Sequence, residues 1–135
     1  VVALWHDNHI SVGHIGDSRA YRFGPTGVFR LTEDHSWVAE RLKEGVLTRT
    51  EAERHPYRNV LTRALGLPEA RFDLVEVRLA PGEGVLLVTD GLYGHVPEEE
   101  WRLGRDLQAS LEAMVAEALR RGGDDNVTAV ALRVE

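Results

Sequence analysis

The chain has 135 residues, a formal net charge of −6 and no cysteine. That length allows one domain with a real core. It excludes disulfides and zinc–thiolate sites, and the acidic balance without a basic cluster argues against a nucleic-acid or anionic-membrane partner. No apolar run approaches the roughly 20 residues of a membrane span, and the opening VVALWHDNH has neither a basic lead nor a small-residue cleavage pattern.

In chain order, VVALW and HISVGHIG flank His6-Asp7-Asn8, which predicts a hairpin. The first of these reads as a strand from residue 1, as expected of an excerpt from a longer domain. AYRF and VFRLT flank GPTG and predict a second hairpin. From Ser36 the pattern turns helical and stops at Gly45. Thr48 and Glu51 fit a capping box for a short helix that ends at Pro56. Residues 36–60 are the most polar stretch and are expected to form a helical excursion from the sheet.

FDLVEVRL alternates and predicts a strand with one wet face. After the turn PGEG comes an apolar strand over 85–89, which runs into Asp90-Gly91, a common turn pair. From Asp106, a good cap, Leu107, Leu111, Met114, Val115, Ala118 and Leu119 fall on one helical face that Gly122 ends. NVTAVALRV closes the chain as a strand. Hairpins with helices between them predict an α+β fold of mainly antiparallel sheet.

Three acids share one local setting. Asp17, Asp90 and Asp125 each sit at a strand end beside a glycine. An unpaired carboxylate inside an apolar strand is costly, so each belongs at the strand mouth with something to meet its charge. If the three ends converge, the like charges repel and require cations, and an all-oxygen set suits Mg²⁺ or Mn²⁺ rather than zinc. Taken singly, each acid has a plainer reading: Asp90 as a turn residue, Asp17 paired with Arg19, and Asp124 and Asp125 as loop acids.

The ordered motifs GDSRAY, LTEDHS, RNVLTRALG, LLVTDGLYG and GGDDNVTAVALRV, together spanning essentially the whole chain, resemble the metal-dependent protein phosphatases of the PP2C (PPM) type. The resemblance implies a PP2C-like β-sandwich of mainly antiparallel sheets flanked by helices, present here over residues 1–135 as a partial domain whose N-terminal part is lacking. It implies hydrolysis of phosphoserine and phosphothreonine by a metal-activated water, with Asp90 and Asp125 as catalytic-metal ligands. Asp17 matches the acid of an additional metal site, and residues 36–60 match a flap beside the active site. Phosphoproteins are the implied partners, with a Hanks-type Ser/Thr kinase as antagonist, in a cytoplasmic setting.

Two features depart from the family pattern. The DGxGG element, whose Asp bridges the two core metals, is not among these residues, so the isolated chain is expected to be poorly active. Many members carry an acid where Gly94 stands, which bears on the additional metal. His95 and Asn126 are read as loop residues, His35 as structural, and the remaining histidines show no shared metal spacing. A second reading is a non-catalytic, PP2C-like sensing or interaction domain.

Overall fold

A computed structural model describes all residues, Val1–Glu135. Seven strands form two antiparallel sheets. β1 (Val2–His6), β2 (His9–His14) and β5 (Asp73–Arg78) make a three-stranded sheet in the order β1-β2-β5. β3 (Arg19–Gly24), β4 (Gly27–Arg30), β6 (Gly84–Val88) and β7 (Ala129–Arg133) make the other, ordered β4-β3-β6-β7. Both expected hairpins are present. The first turns on Asp7 and Asn8 with His6 opposite His9, and Asp7 takes a positive φ of 54°. Asp is among the few residues that tolerate this conformation.

The sheets pack face to face over Ile10, Val12, Ala20, Val77, Leu79 and Val85. A second core lies on the far side of the four-stranded sheet. There Tyr21, Phe23, Leu86 and Val88 meet Leu92, Val96, Trp101, Met114 and Ala118. Strand β6 is therefore covered on both faces: Val85 looks into one core, and Leu86 and Val88 into the other. An unbroken run of apolar residues is what such a strand needs.

The helix α4 (Leu107–Arg120) supplies the cover. Asp106 caps it, accepting a hydrogen bond from Ala109 N at 3.0 Å. Met114 and Ala118 are its buried residues. Leu119, expected on the core face, is 55% exposed. Successive helical residues stand about 100° apart, so Leu119 falls on the rim of the stripe whose centre Ala118 occupies.

Residues 36–60 form the expected excursion, with α1 (Trp37–Lys43) and α2 (Arg49–Arg54). Ser36 caps α1, and Thr48 and Glu51 form the complete capping box of α2. Trp37 N donates to Val60 O and Ser36 bridges Leu61, so the excursion leaves and returns at one point. No helix is long and apolar enough to cross a membrane.

Two expectations are corrected. Asp90-Gly91 is not a turn, because a four-residue helix, α3 (Asp90–Tyr93), starts at Asp90. β7 begins at Ala129 rather than at Asn126, so residues 126–128 belong to the loop preceding it. The helices that cover a sheet, α3 and α4, lie on the four-stranded sheet. On the outer face of the three-stranded sheet, Val2, Leu4 and Leu74 are exposed.

Candidate metal centre

The antiparallel register gathers the three acids. Arg19 of β3, Val88 of β6 and Ala129 of β7 stand side by side in adjacent strands. Asp17 lies two residues before Arg19, Asp90 two after Val88 and Asp125 four before Ala129. All three therefore project past the same end of the sheet. Neighbouring strands are about 4.8 Å apart, so these ends span about 10 Å. Asp17 also sits on the link by which the chain crosses from one sheet to the other.

The charges feel one another. Burial raises the pKa of Asp17, and the Asp90 carboxylate raises it further. Burial likewise raises that of Asp90, followed by the charge of Asp125, whose carboxyl is also close enough for a hydrogen bond to the protonated form. No arginine, lysine or histidine forms an ion pair with any of the three. The plainer partners are engaged elsewhere. The Arg19 guanidinium grips Asp34 with two hydrogen bonds of 2.9 and 2.7 Å. Asp124 pairs with His95 Nε2 at 2.8 Å. Asp125 is thereby distinguished from its neighbour: it is the one that faces Asp90.

Glycine makes the approach possible at Gly91. A Cβ there would lie 2.1 Å from the carbonyl oxygen of Asn126, a backbone atom that cannot swing aside. The loop before β7 thus rests directly on the start of α3 and carries Asp125 to Asp90. Thr89 fixes the same junction. Its hydroxyl accepts from Thr128 N at 3.0 Å, and its own N–H donates to Thr128 O. Asn126 holds this loop, as expected, through its carbonyl and through a 2.7 Å bond from its N–H to Asp125 Oδ1. His95 is a strut rather than a solvated loop residue: it is 19% exposed and bridges Gly91 O and Asp124.

A second cluster escaped sequence reasoning. His14, His35 and Asp73 bring potential ligand atoms within 4.8 Å of one another. His35 Nδ1 accepts the Gly16 N–H at 3.1 Å, which places the ring proton on Nε2, and Nε2 donates to Asp73 at 2.7 Å. Arg63 occupies the same carboxylate. This geometry leaves no lone pair on His35 for a cation. It makes His35 structural, pinning the turn that presents Asp17. Nothing in the spacing of residues 14, 35 and 73 signals the cluster.

A family model described as Stage II sporulation protein E (SpoIIE) matches residues 42–135. The chain belongs to the PP2C-type (PPM) phosphatase family. It is 39% identical over 127 residues to the protein phosphatase PhpP of Streptococcus pneumoniae, covering 90% of this chain and 52% of that one. The structure of the Mycobacterium tuberculosis serine/threonine phosphatase PstP/Ppp superposes with a TM-score of 0.90 at 34% identity, covering 98% of this chain and 58% of that chain. The catalytic domain of PstP in complex with two manganese ions gives 0.86 at 32% identity, with 98% and 57% covered. The PP2C fold expected from the motifs is therefore present. The chain spans about half the length of the curated relatives it matches.

Proposed function

We propose that this chain forms part of a metal-dependent protein phosphatase acting on phosphoserine and phosphothreonine. Asp90 and Asp125 serve as ligands of the catalytic metal pair, and Asp17 serves an additional cation. The observation that carries this reading is that three carboxylates project past one end of the four-stranded sheet, none with a cationic partner. The donor set fits the group: carboxylate oxygens without sulfur or imidazole suit Mg²⁺ or Mn²⁺. When bound, such ions supply Lewis acidity towards a phosphoryl oxygen and an acidified water at neutral pH. The chain's own residues hold the geometry. Thr89 and Gly91 seat the Asp125 loop on α3, His95 draws Asp124 away, and Arg19 pairs with Asp34 beside them. Phosphoproteins in a cytoplasmic setting, opposed by a Hanks-type kinase, are the partners this reading implies.

The test is a Mn²⁺ titration of the chain by calorimetry. Asp90→Asn should abolish binding, and Asp125→Ala should weaken it by more than Asp124→Ala does. In the metal-free state Asp90→Asn should instead stabilise the fold. A raised carboxyl pKa means that the ionised form is penalised, so stability falls as pH rises through the raised value. For a part-exposed group that gain is on the order of 0.5 kcal/mol. Binding unchanged by Asp90→Asn would defeat the assignment. Little hydrolysis of p-nitrophenyl phosphate is expected from these residues by themselves. The non-catalytic reading draws on the small number of ligands, reduced further by Gly94 where many members carry an acid. Tight Mn²⁺ binding without turnover by the whole protein would favour it.

A further inference from the structure

We propose that Tyr93 is a positioning residue that braces Asp17 against Asp90. The inference rests on the pocket reading given above and goes beyond it, because the Tyr93 hydroxyl acts on the Asp17 backbone rather than as a ligand. Tyr93 closes α3, three residues after Asp90, so the two side chains leave the same side of one short helix. Its hydroxyl donates a 2.7 Å hydrogen bond to the main-chain carbonyl of Asp17, 76 residues away in sequence. One four-residue element thus carries one acid of the pocket and holds the backbone of another.

The brace is itself held. The Arg19 guanidinium lies 3.5 Å from the centre of the Tyr93 ring, and Asp34 fixes that guanidinium through both of its oxygens. The segment Tyr93 grips lies in the crossing between β2 and β3, outside both ladders, and Gly16 there takes a left-handed φ of 100°. Three hydrogen bonds anchor this crossing. The EDHS loop provides two of them: Gly16 N–H to His35 Nδ1, and His35 N–H to Gly16 O. The bond from Tyr93 is the one that comes from the element bearing Asp90.

Repulsion makes that bond consequential. Asp17 and Asp90 project past the same sheet end without a cationic partner, and two like charges on separate segments lower their energy by moving apart. A hydrogen bond from α3 to the Asp17 backbone opposes that drift in the absence of a cation, and keeps the two carboxylates spaced for one to enter.

Tyr93→Phe removes the hydroxyl and leaves the ring beneath Arg19. Two measurements on the chain test the brace. The first is amide hydrogen exchange without metal. Exchange at Gly16, Asp17 and Ser18 should accelerate roughly tenfold, in keeping with loss of a hydrogen bond worth about 1.4 kcal/mol. Exchange at Leu86 and Val88 should stay unchanged, whereas a general loss of packing would speed both groups. Equal exchange in the two proteins overturns the proposal. The second is Mn²⁺ affinity. Tyr93→Phe should weaken it by roughly tenfold, the usual cost of removing a residue that orients a ligand. Adding Tyr93→Phe to Asp17→Asn should cost nothing more, because the brace acts through Asp17. Additive losses would overturn the proposal. Failure of the unmodified chain to bind Mn²⁺ would count against the pocket reading itself, and the exchange measurement would still decide whether Tyr93 braces the loop.

Discussion

His14 is the residue that the fold treats most severely. It is 1% exposed, neither ring nitrogen makes a well-formed hydrogen bond although the Ser18 backbone lies close, and its ring lies 4.6 Å from that of His35. Burial, followed by the neighbouring His35, pushes its pKa from 6.5 down to about 4. The unfolded chain therefore takes up a proton between pH 6.5 and 4 that the folded chain refuses. Stability due to His14 is intact above 6.5 and falls as the pH drops towards 4. Denaturant unfolding across this range should show a slope that His14→Phe lowers by up to about 1.4 kcal/mol per pH unit. Other groups titrate in the same window, so the difference between the two proteins is the informative quantity. Identical slopes would mean that His14 is not the buried neutral group it resembles. The ring reports on the Asp17 crossing because it stacks on the same His35 that receives the Gly16 N–H.

Among the elements, α3 shows best why short structure is hard to read from sequence and why its glycine matters. Gly91→Ala should cost about 1–3 kcal/mol, as overpacking against a fixed atom does, because the new methyl would meet the Asn126 carbonyl. It should also weaken Mn²⁺ binding by displacing the Asp125 loop. Thermal unfolding and metal titration on the same variant check both halves, and an unchanged melting temperature would show that the loop yields freely. The Asp-Gly pair suggested a turn because four residues carry barely one helical period, whereas the clash that demands glycine comes from residue 126. Interactions closed within three or four residues were readable. The Thr48–Glu51 capping box, the Asp106 cap and the alternation of β5 are all local, and the structure contains each of them. The apolar run of β6 could be read too, since a strand covered on both faces has no polar positions. The three acids could be named from their strand ends and motif context, yet their meeting depends on a register across β3, β6 and β7 that no spacing encodes. Tyr93 and the pairing of Arg19 with Asp34 were invisible for the same reason.

At the scale of the whole molecule the sandwich is covered unevenly. Val130 and Leu132 share a row with Leu87 and Val85 on the inner face of the four-stranded sheet, yet they are 50% and 43% exposed on its edge strand. On the outer face of that smaller sheet, Val2 and Leu74 flank Gly13 in one row, and Leu4 lies beside Ser11 in the next. Their exposures are 59%, 61% and 67%. Strands β1, β4, β5 and β7 all carry an edge with unpaired backbone groups. Exposed apolar rows beside open edges favour association at high concentration, since each contact buries area worth about 25 cal/mol per Å². The chain should therefore bind anilinonaphthalene sulfonate and show concentration-dependent sedimentation. Replacing Val130 and Leu132 together by Thr should reduce both signals. The melting temperature should move by only a few degrees, because side chains already half in water contribute about 1 kcal/mol or less each to the fold. A large fall in melting temperature would instead place these residues in the core. Unchanged dye binding would move the exposed apolar surface to the Val2, Leu4 and Leu74 face, where Leu4→Lys is the corresponding variant. Leu4 lies away from the sheet end that bears Asp17, Asp90 and Asp125, and Val130, although next to Ala129 at that end, turns its side chain to the inner sheet face rather than past the strand end. Mn²⁺ affinity should therefore be retained in both, which separates the covering of the sandwich from the assembly of its acid pocket.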